Sequence, residues 1–243
     1  MKAEERHFYL RRLHSLSGVV PVGVFLLQHM YSNALSLWGP GVYDEHVHFL
    51  IYQPLVLLLE LFVVFLPLAF HAGLGVYFMV DAKWNPNKYG YARNWGYTLQ
   101  RITAFITLIY VVYHVAQTRF SFDDLQKANM YATMQDLFAN NRGWLMVVYI
   151  VGATAASYHM CNGFFTFCIV WGLTITRRAQ TMVWRACMGL FVLMTLGFVA
   201  SLLPLNRIID PPFANTPCRR AAPMSRYRPP SPSSSAQASA RLN

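Results

Sequence analysis

The chain has 243 residues, of which 55% are hydrophobic and only 12% are charged. This composition is typical of a protein with several membrane spans and argues against a soluble domain. The formal net charge of +10 would suit nucleic-acid binding, but the basic residues lie beside apolar segments and in the C-terminal tail. We therefore expect a lipid bilayer, and no nucleic acid, as the surroundings of this chain.

Five apolar segments are long enough to cross a hydrocarbon core of about 30 Å as helices. In the clearest of them, residues 55–80, only Glu60 and His71 can ionise. The five predicted spans are residues 15–37, 55–80, 97–118, 144–174 and 186–205. We predict an all-α membrane domain over residues 1–206 and a disordered tail, rich in proline, serine and arginine, over residues 207–243.

Lysine and arginine predict the orientation of the spans, because they concentrate in cytoplasmic segments. With the N-terminus inside, the outer loops hold only Arg119, Lys127 and Arg142. The inner segments hold Lys2, Arg6, Arg11, Arg12, Lys83, Lys88, Arg93, Arg101, Arg177, Arg178 and Arg185. We therefore predict a cytoplasmic N-terminus.

One histidine lies in each of the first four predicted spans: His29, His71, His114 and His159. A single intramembrane histidine often only hydrogen-bonds to a neighbouring helix, but a repeat in four consecutive spans indicates a function. At about 1.5 Å of rise per residue, His29 and His114 lie about 14 and 8 Å from the outer ends of their helices. His71 and His159 lie about 26 and 22 Å from theirs.

These depths divide the histidines into an outer pair, His29 with His114, and an inner pair, His71 with His159. Each pair supplies two imidazoles from different helices, which suits axial ligation of one haem iron. No C-x-x-C-H motif for covalent attachment is present, so we expect two noncovalent haems b. A closed zinc site is disfavoured because its four ligands would have to converge on one point.

Several segments resemble the dihaem cytochrome b membrane anchor of succinate:quinone oxidoreductases, in its five-helix, single-subunit bacterial form. They are FYLRRLHSLSGVVPVGVFLLQH, PLAFHAGLGVY, YARNW, LQRITAFITLIYVVYH and NGFFTFCIVWGLTIT. The resemblance runs from about His7 to Leu205 and implies the same assignment of His29 and His114 to an outer haem and of His71 and His159 to an inner one.

The resemblance also implies a place in a larger enzyme of the bacterial cytoplasmic membrane. A flavoprotein subunit would oxidise succinate, and an iron-sulfur subunit would pass the electrons to the inner haem. This chain would then carry them outward to a quinone, menaquinone being the expected one. The chain itself would not act on succinate. In some related fumarate reductases a glutamate two residues before the fourth-span histidine serves proton transfer, and here that position is Ser157.

Quinone reduction also needs protons, so a titratable group is expected near the outer pair. Glu60 precedes His71 by 11 residues and lies on nearly the same helix face, about three turns further out. It is our candidate for a proton relay or a contact to the outer haem or quinone, and the alternative is a carboxylate that hydrogen-bonds to another helix. Further candidates lie in the first outer loop: Asp44, Glu45, His46 and His48.

At the inner end, His14 and Ser15 lie within roughly 60° of the face of His29 and are candidates for contacts to the propionates of the inner haem. Arg11 and Arg12 could assist them or could serve only as positive-inside anchors. Arg93 and Trp95, on the inner side, are candidates for contact with the iron-sulfur subunit.

Two alternatives remain open from the sequence. A fumarate reductase would use the same arrangement in the opposite direction. A haem-free transporter or proton channel would use the buried histidines as a proton relay, but it would be expected to show broken helices or internal repeats, and the sequence has neither pattern.

Overall fold

The computed structural model describes residues 3–80, 92–141 and 143–214. Within these residues, five helices are long and apolar enough to cross a membrane: Glu4–Trp38, Val56–Val80, Arg93–Phe120, Trp144–Val170 and Arg177–Leu205. We call them spans 1 to 5. The predicted all-α membrane fold with five spans is confirmed.

The observed helices differ from the predicted spans mainly at their polar ends. Spans 1 and 5 begin earlier than predicted, because a helix continues through polar residues beyond the hydrocarbon; span 5 starts after Thr176, whose hydroxyl accepts a hydrogen bond from the N–H of Ala179. Span 4 ends at Val170 rather than 174, because Gly172 has a φ of 71° and Leu173 N–H bonds back to the carbonyl of Cys168 at 2.8 Å.

Three of the spans contain a wider π-helical segment: Gly18–Gly23 in span 1, Glu60–Phe65 in span 2 and Ala116–Phe120 in span 3. Pro21 lies inside the first segment and Pro67 lies two residues after the end of the second, and at each proline the missing N–H and the bulk of the ring disturb a regular α-helix. Each segment contains one residue whose contacts are described below for the histidine pairs or for Glu60: Gly18, Glu60 and Arg119.

The spans differ in how deeply they are buried within this chain. Span 4 packs against both span 3 and span 5 and contributes ten buried residues. Span 2 packs mainly against span 1, meets span 3 sparsely, and has no fully buried residue. Span 4 is therefore the centre of the bundle and span 2 lies at its edge.

A compact cap covers the end of the bundle that is predicted to face outward, which we call the outer end. It consists of the short helices Pro40–Ile51, Asp124–Ala128 and Met130–Asn140. The first and third share an apolar cluster with the neighbouring ends of spans 4 and 5, and Asp124–Ala128 packs against both of them. The described start of the predicted tail, residues 207–214, joins this cap: Phe213 N–H bonds to the carbonyl of Leu37 and Arg207 pairs with Asp136. Residues 215–243 of the predicted tail, and Lys83 and Lys88 of the inner loop, lie outside the described residues.

Candidate haem-binding site

The outer pair joins span 1 to span 3. The ring centres of His29 and His114 are 5.8 Å apart, and the two ring planes are inclined by 71°. Phe25 stacks beside His29 and Tyr110 beside His114, each at 5.5 Å between ring centres. On the far side of His114, the phenol oxygen of Tyr149 lies 3.3 Å from Nδ1.

The inner pair joins span 2 to span 4. The ring centres of His71 and His159 are 6.0 Å apart, with the planes inclined by 78°. Nδ1–H of His71 donates to the backbone carbonyl of His14 at 2.9 Å, and Nδ1 of His159 lies 3.2 Å from the carbonyl of Gln100. Depth counting predicts the same two pairs.

Both pairs have the dimensions needed for a metal ion between two imidazoles. Two imidazoles that bind opposite sides of one ion at about 2 Å place their ring centres roughly 6 Å apart. In the inner pair, donation from Nδ1 to a carbonyl leaves Nε2 as the nitrogen that can bind metal, which is the usual arrangement of a metal-binding histidine. Among the described residues, no three His, Cys, Asp or Glu side chains converge on one point.

Two buried nitrogens near the inner pair have no hydrogen-bond partner among the described residues. They are Nδ1 of His14 and Nε of Arg12. Nε of Arg12 is a donor, Nδ1 of His14 is a donor when it carries the ring proton, and a propionate carboxylate is an acceptor that suits such donors. The paired imidazoles and these nitrogens therefore have the chemistry of the axial ligands and of a propionate contact of a haem.

Two glycines make room for the aromatic rings of the site. A Cβ atom at Gly18, the first residue of the π-helical segment in span 1, would overlap the ring of His71. A Cβ atom at Gly152 in span 4 would overlap the ring of Tyr110, which stacks on His114. These glycines are required by close approach of a side chain and do not depend on unusual backbone angles.

His14 and Ser15 are both predicted propionate contacts, but their side chains have different neighbours. The ring of His14 stacks on His71 at 4.1 Å between centres, and the planes differ by only 8°. Ser15 accepts a hydrogen bond from the indole N–H of Trp171 at 3.1 Å and donates to the carbonyl of Arg12. His14 thus belongs to the inner pair's surroundings, whereas Ser15 joins spans 1 and 4.

Glu60 is paired with Arg119, at the outer ends of spans 2 and 3. Nε and Nη2 of Arg119 donate to the same carboxylate oxygen at 3.0 and 2.8 Å. Both residues lie in π-helical segments, and their side chains are 25% and 32% exposed in the isolated chain. The contact is therefore a salt bridge between two helices, and a role in proton transfer stays a prediction.

The four loop candidates lie in different surroundings. Asp44 accepts from the N–H of Tyr131, and His48 contacts the carbonyl of Ala128, so both hold the cap together. The side chain of Glu45 is exposed. His46 instead reaches the membrane domain, with Nε2 2.9 Å from the hydroxyl of Ser32, one helical turn beyond His29. Burial raises the pKa of the Asp44 carboxyl and lowers the pKa of His46.

The remaining predicted residues lie near the inner face or inside the bundle. Arg93 donates to the side chain of Gln180 at 2.7 Å, and Trp95 is 47% exposed beside it in sequence. Ser157 is fully buried, and its hydroxyl donates to the carbonyl of Ala153, so the hydrogen bond of this side chain stays within span 4.

Sequence reasoning missed the residues behind the ligands, chiefly Gln100, Asn162, Tyr149 and Gly18. A backbone carbonyl that accepts from a histidine carries no residue-specific signal. Gln100 does carry one, since it is an amide in an apolar span, 14 residues before His114 and near the same helix face. Asn162, three residues after His159, carries the same kind of signal.

A helical membrane protein with two facing pairs of intramembrane histidines belongs to the class of membrane cytochromes b in its architecture. Residues 87–198 match the family described as succinate dehydrogenase/fumarate reductase transmembrane subunit. The chain is 40% identical over 189 residues to the succinate dehydrogenase cytochrome b558 subunit of Bacillus subtilis (strain 168), a match that covers 77% of this chain and 91% of that protein. The chain belongs to this family of cytochrome b membrane anchors.

Proposed function

We propose that this chain is the membrane anchor of a succinate dehydrogenase and carries electrons from an iron-sulfur subunit on the cytoplasmic side to a quinone, menaquinone being the expected one. The facing of His71 with His159 and of His29 with His114 carries this proposal, because it provides two metal-binding positions in series across the bilayer. A haem supplies reversible one-electron chemistry at its iron when bound. The flavoprotein subunit would contain the succinate site.

The residues of this chain would perform three tasks. His71 and His159 would bind one haem, and the carbonyls of His14 and Gln100 would orient their rings. His29 and His114 would bind the other, with Tyr149 behind His114. The outer cap would exclude water from the outer pair, since its apolar cluster includes Tyr149 itself.

The protons for quinone reduction would be held near the outer pair. Glu60 is the proposed group within the membrane, with Arg119 neutralising its charge. His46 is the proposed contact to the outer aqueous phase, because it is the loop candidate whose ring reaches a spanning helix. The N-terminus would face the cytoplasm of a bacterial cell, and Arg93 and Trp95 would face the iron-sulfur subunit.

Fumarate reduction would use the same residues with electrons moving in the opposite direction, and the family includes both kinds of enzyme. Membership of a cytochrome b family favours electron transfer over a haem-free transporter or channel. The direction of turnover depends on redox potentials, which solution measurements supply.

The test is made on the purified complex of this chain with its flavoprotein and iron-sulfur subunits. We expect two haems b per chain by pyridine haemochrome assay, reduction of both by succinate, and succinate-dependent reduction of a menaquinone analogue. A complex that contains one haem or none per chain, or whose haem is not reduced by succinate, would contradict the proposal.

A further inference from the structure

Gln100 of span 3 makes a connected set of contacts to His159 of span 4. Its backbone carbonyl lies 3.2 Å from Nδ1 of His159, and its side-chain Nε2 lies 3.1 Å from the same nitrogen. Nε2 also donates to the backbone carbonyl of His159 at 3.0 Å. Both the main chain and the side chain of Gln100 therefore contact one of the candidate ligands.

The orientation of the Gln100 amide is set by its neighbours. The carbonyl of His159 can only accept, so the NH2 group of Gln100 must point toward it. The amide oxygen of Gln100 then accepts from Nδ2 of Asn162 at 2.9 Å, and Asn162 also approaches the carbonyl of Gly96. Each of these amide contacts pairs one donor with one acceptor, so the orientations of Gln100 and Asn162 are mutually consistent.

Two groups of Gln100 lie within reach of Nδ1 of His159 and favour different tautomers. With a proton on Nδ1, the backbone carbonyl of Gln100 accepts a hydrogen bond from it, which leaves the lone pair of Nε2 for a metal. In the other tautomer, Nδ1 would accept from the Gln100 amide and Nε2 would carry the proton, which would block ligation. Ligation at Nε2 therefore selects the contact to the backbone carbonyl and leaves the Gln100 side chain bonded to the carbonyl of His159.

Two glycines lie beside these contacts. A Cβ atom at Gly163 would lie 3.4 Å from Nε2 of Gln100, and one at Gly96 would lie 3.8 Å from the amide oxygen of Asn162. Both distances are ordinary van der Waals contacts, so the contacts of Gln100 and Asn162 lie in the packed interface of spans 3 and 4.

We propose that Gln100 is a positioning residue for the inner haem: its backbone carbonyl accepts from Nδ1 of His159, and its side chain, held by Asn162, fixes the height of the His159 ring through the His159 carbonyl, which together tune the affinity and the redox potential of that haem alone. This inference rests on the proposed function, since it assumes that His71 and His159 hold a haem. It concerns the residues that hold His159 from behind, and not the axial ligands themselves.

The test is a redox titration and a haem assay of the purified complex carrying Gln100→Met, which keeps the size of the side chain and removes the side-chain hydrogen bonds while the backbone carbonyl stays. We expect the affinity of the inner site for haem to fall by about tenfold, the lower end of the usual effect of removing an outer-shell partner of a metal ligand, and the midpoint potential of the inner haem to shift. The outer haem should keep its potential and occupancy. The inner component is identified as the one lost in His159→Ala.

Gln100→Glu provides a directional check. A carboxylate beside Nδ1 would accept its proton more strongly and add negative charge, which favours the oxidised haem. The inner midpoint potential should therefore fall, and by more than that of the outer haem. Asn162→Leu, which removes the partner of the Gln100 amide oxygen, should give a smaller version of the Gln100→Met effect and decides the question if Gln100→Met does not assemble.

The control is Gln135→Met, which removes a similar glutamine contact, from Nε2 to the carbonyl of Pro204 in the outer cap. It should leave the inner haem unchanged. An inner haem that is unchanged in both Gln100→Met and Asn162→Leu, or inner and outer haems that shift equally, would overturn the inference. A wild-type complex without two haems would overturn the proposed function itself, which is a different result.

Discussion

The inner and outer histidine pairs have similar ring separations but are supported by different kinds of group. In the inner pair, backbone carbonyls of His14 and Gln100 lie against the Nδ1 atoms. In the outer pair, the side-chain hydroxyl of Tyr149 lies next to Nδ1 of His114. The ring of Tyr149 belongs to the apolar cluster that includes the cap. The inner pair therefore depends on the packing of spanning helices, and the outer pair depends on the cap.

This difference predicts which substitutions affect each site. Changes that separate or shift spans should damage the inner pair, because a carbonyl moves with its helix. Changes in the cap should affect the outer pair and leave the inner pair intact. The following variants test that division, in order of decreasing effect.

Gly18→Ala should have the largest effect and should act on the inner pair. Its Cβ atom would overlap the His71 ring, so the ring or span 1 must move, and overpacking of this kind typically costs about 1–3 kcal/mol. We expect loss of the inner haem component from reduced-minus-oxidised spectra, with the outer component retained. Gly189→Ala is the matched control, since an added Cβ there meets nothing within 4 Å. Normal spectra in Gly18→Ala would show that the inner pair tolerates helix displacement.

Glu60→Gln should act at the outer end and should affect activity rather than haem content. A positioned proton-transfer group contributes about 10²–10⁴-fold to a rate, so we expect quinone reduction to slow by at least about 100-fold. Reduction of both haems by succinate should be unchanged. Arg119→Gln retains the carboxylate but removes its partner, so it separates loss of the ion pair from loss of the acid. If Glu60→Gln keeps full activity, Glu60 serves only as the salt-bridge partner of Arg119.

Tyr149→Phe should have a smaller effect, confined to the outer pair. It removes one hydroxyl next to Nδ1 of His114, and a single hydrogen bond contributes about 0.5–1.5 kcal/mol. We expect a shift in the outer midpoint potential without loss of either haem. A shift of the inner component instead would contradict the assignment of Tyr149 to the outer site.

His46→Gln should have the smallest effect, on the pH dependence of stability. Burial lowers the folded-state pKa of His46 below its unfolded value of about 6.5. Between these two pKa values the unfolded chain binds more protons, so His46 makes the protein less stable as the pH falls below about 6.5. Thermal unfolding at about pH 7.5 and pH 5.5 should show a weaker loss at low pH in His46→Gln than in the wild type. An identical loss in both would exclude His46 as a contributor.

The sequence is sufficient to predict the spans and the histidines, because hydropathy and depth depend on residue type and position alone. The five spans are confirmed, and the helix ends that differ do so for local reasons such as the positive φ of Gly172. The position of Glu60 on the helix face of His71 makes it a candidate from the sequence. The sequence does not predict that Arg119 is its partner. Arg119 is expected in the outer loop and instead lies in the last, π-helical turn of span 3, where it meets Glu60.

The supporting contacts are harder to predict, because they depend on how neighbouring helices are rotated and spaced. The two glycines of HAGLG and HMCNG that follow the inner histidines by four residues illustrate this. Their spacing places each glycine on the helix face of its histidine, and in the structure Gly75 faces His14 and Gly163 faces Gln100. Only the packed helices reveal which neighbour a missing side chain accommodates.

The most direct test of the account is the set of four histidine-to-alanine variants in the purified complex, each measured by a reduced-minus-oxidised spectrum and redox titration. The account predicts that His29→Ala and His114→Ala remove the same haem component, and that His71→Ala and His159→Ala remove the other. If His71→Ala and His114→Ala selectively removed the same component, the two pairs described here would not be the two haem sites.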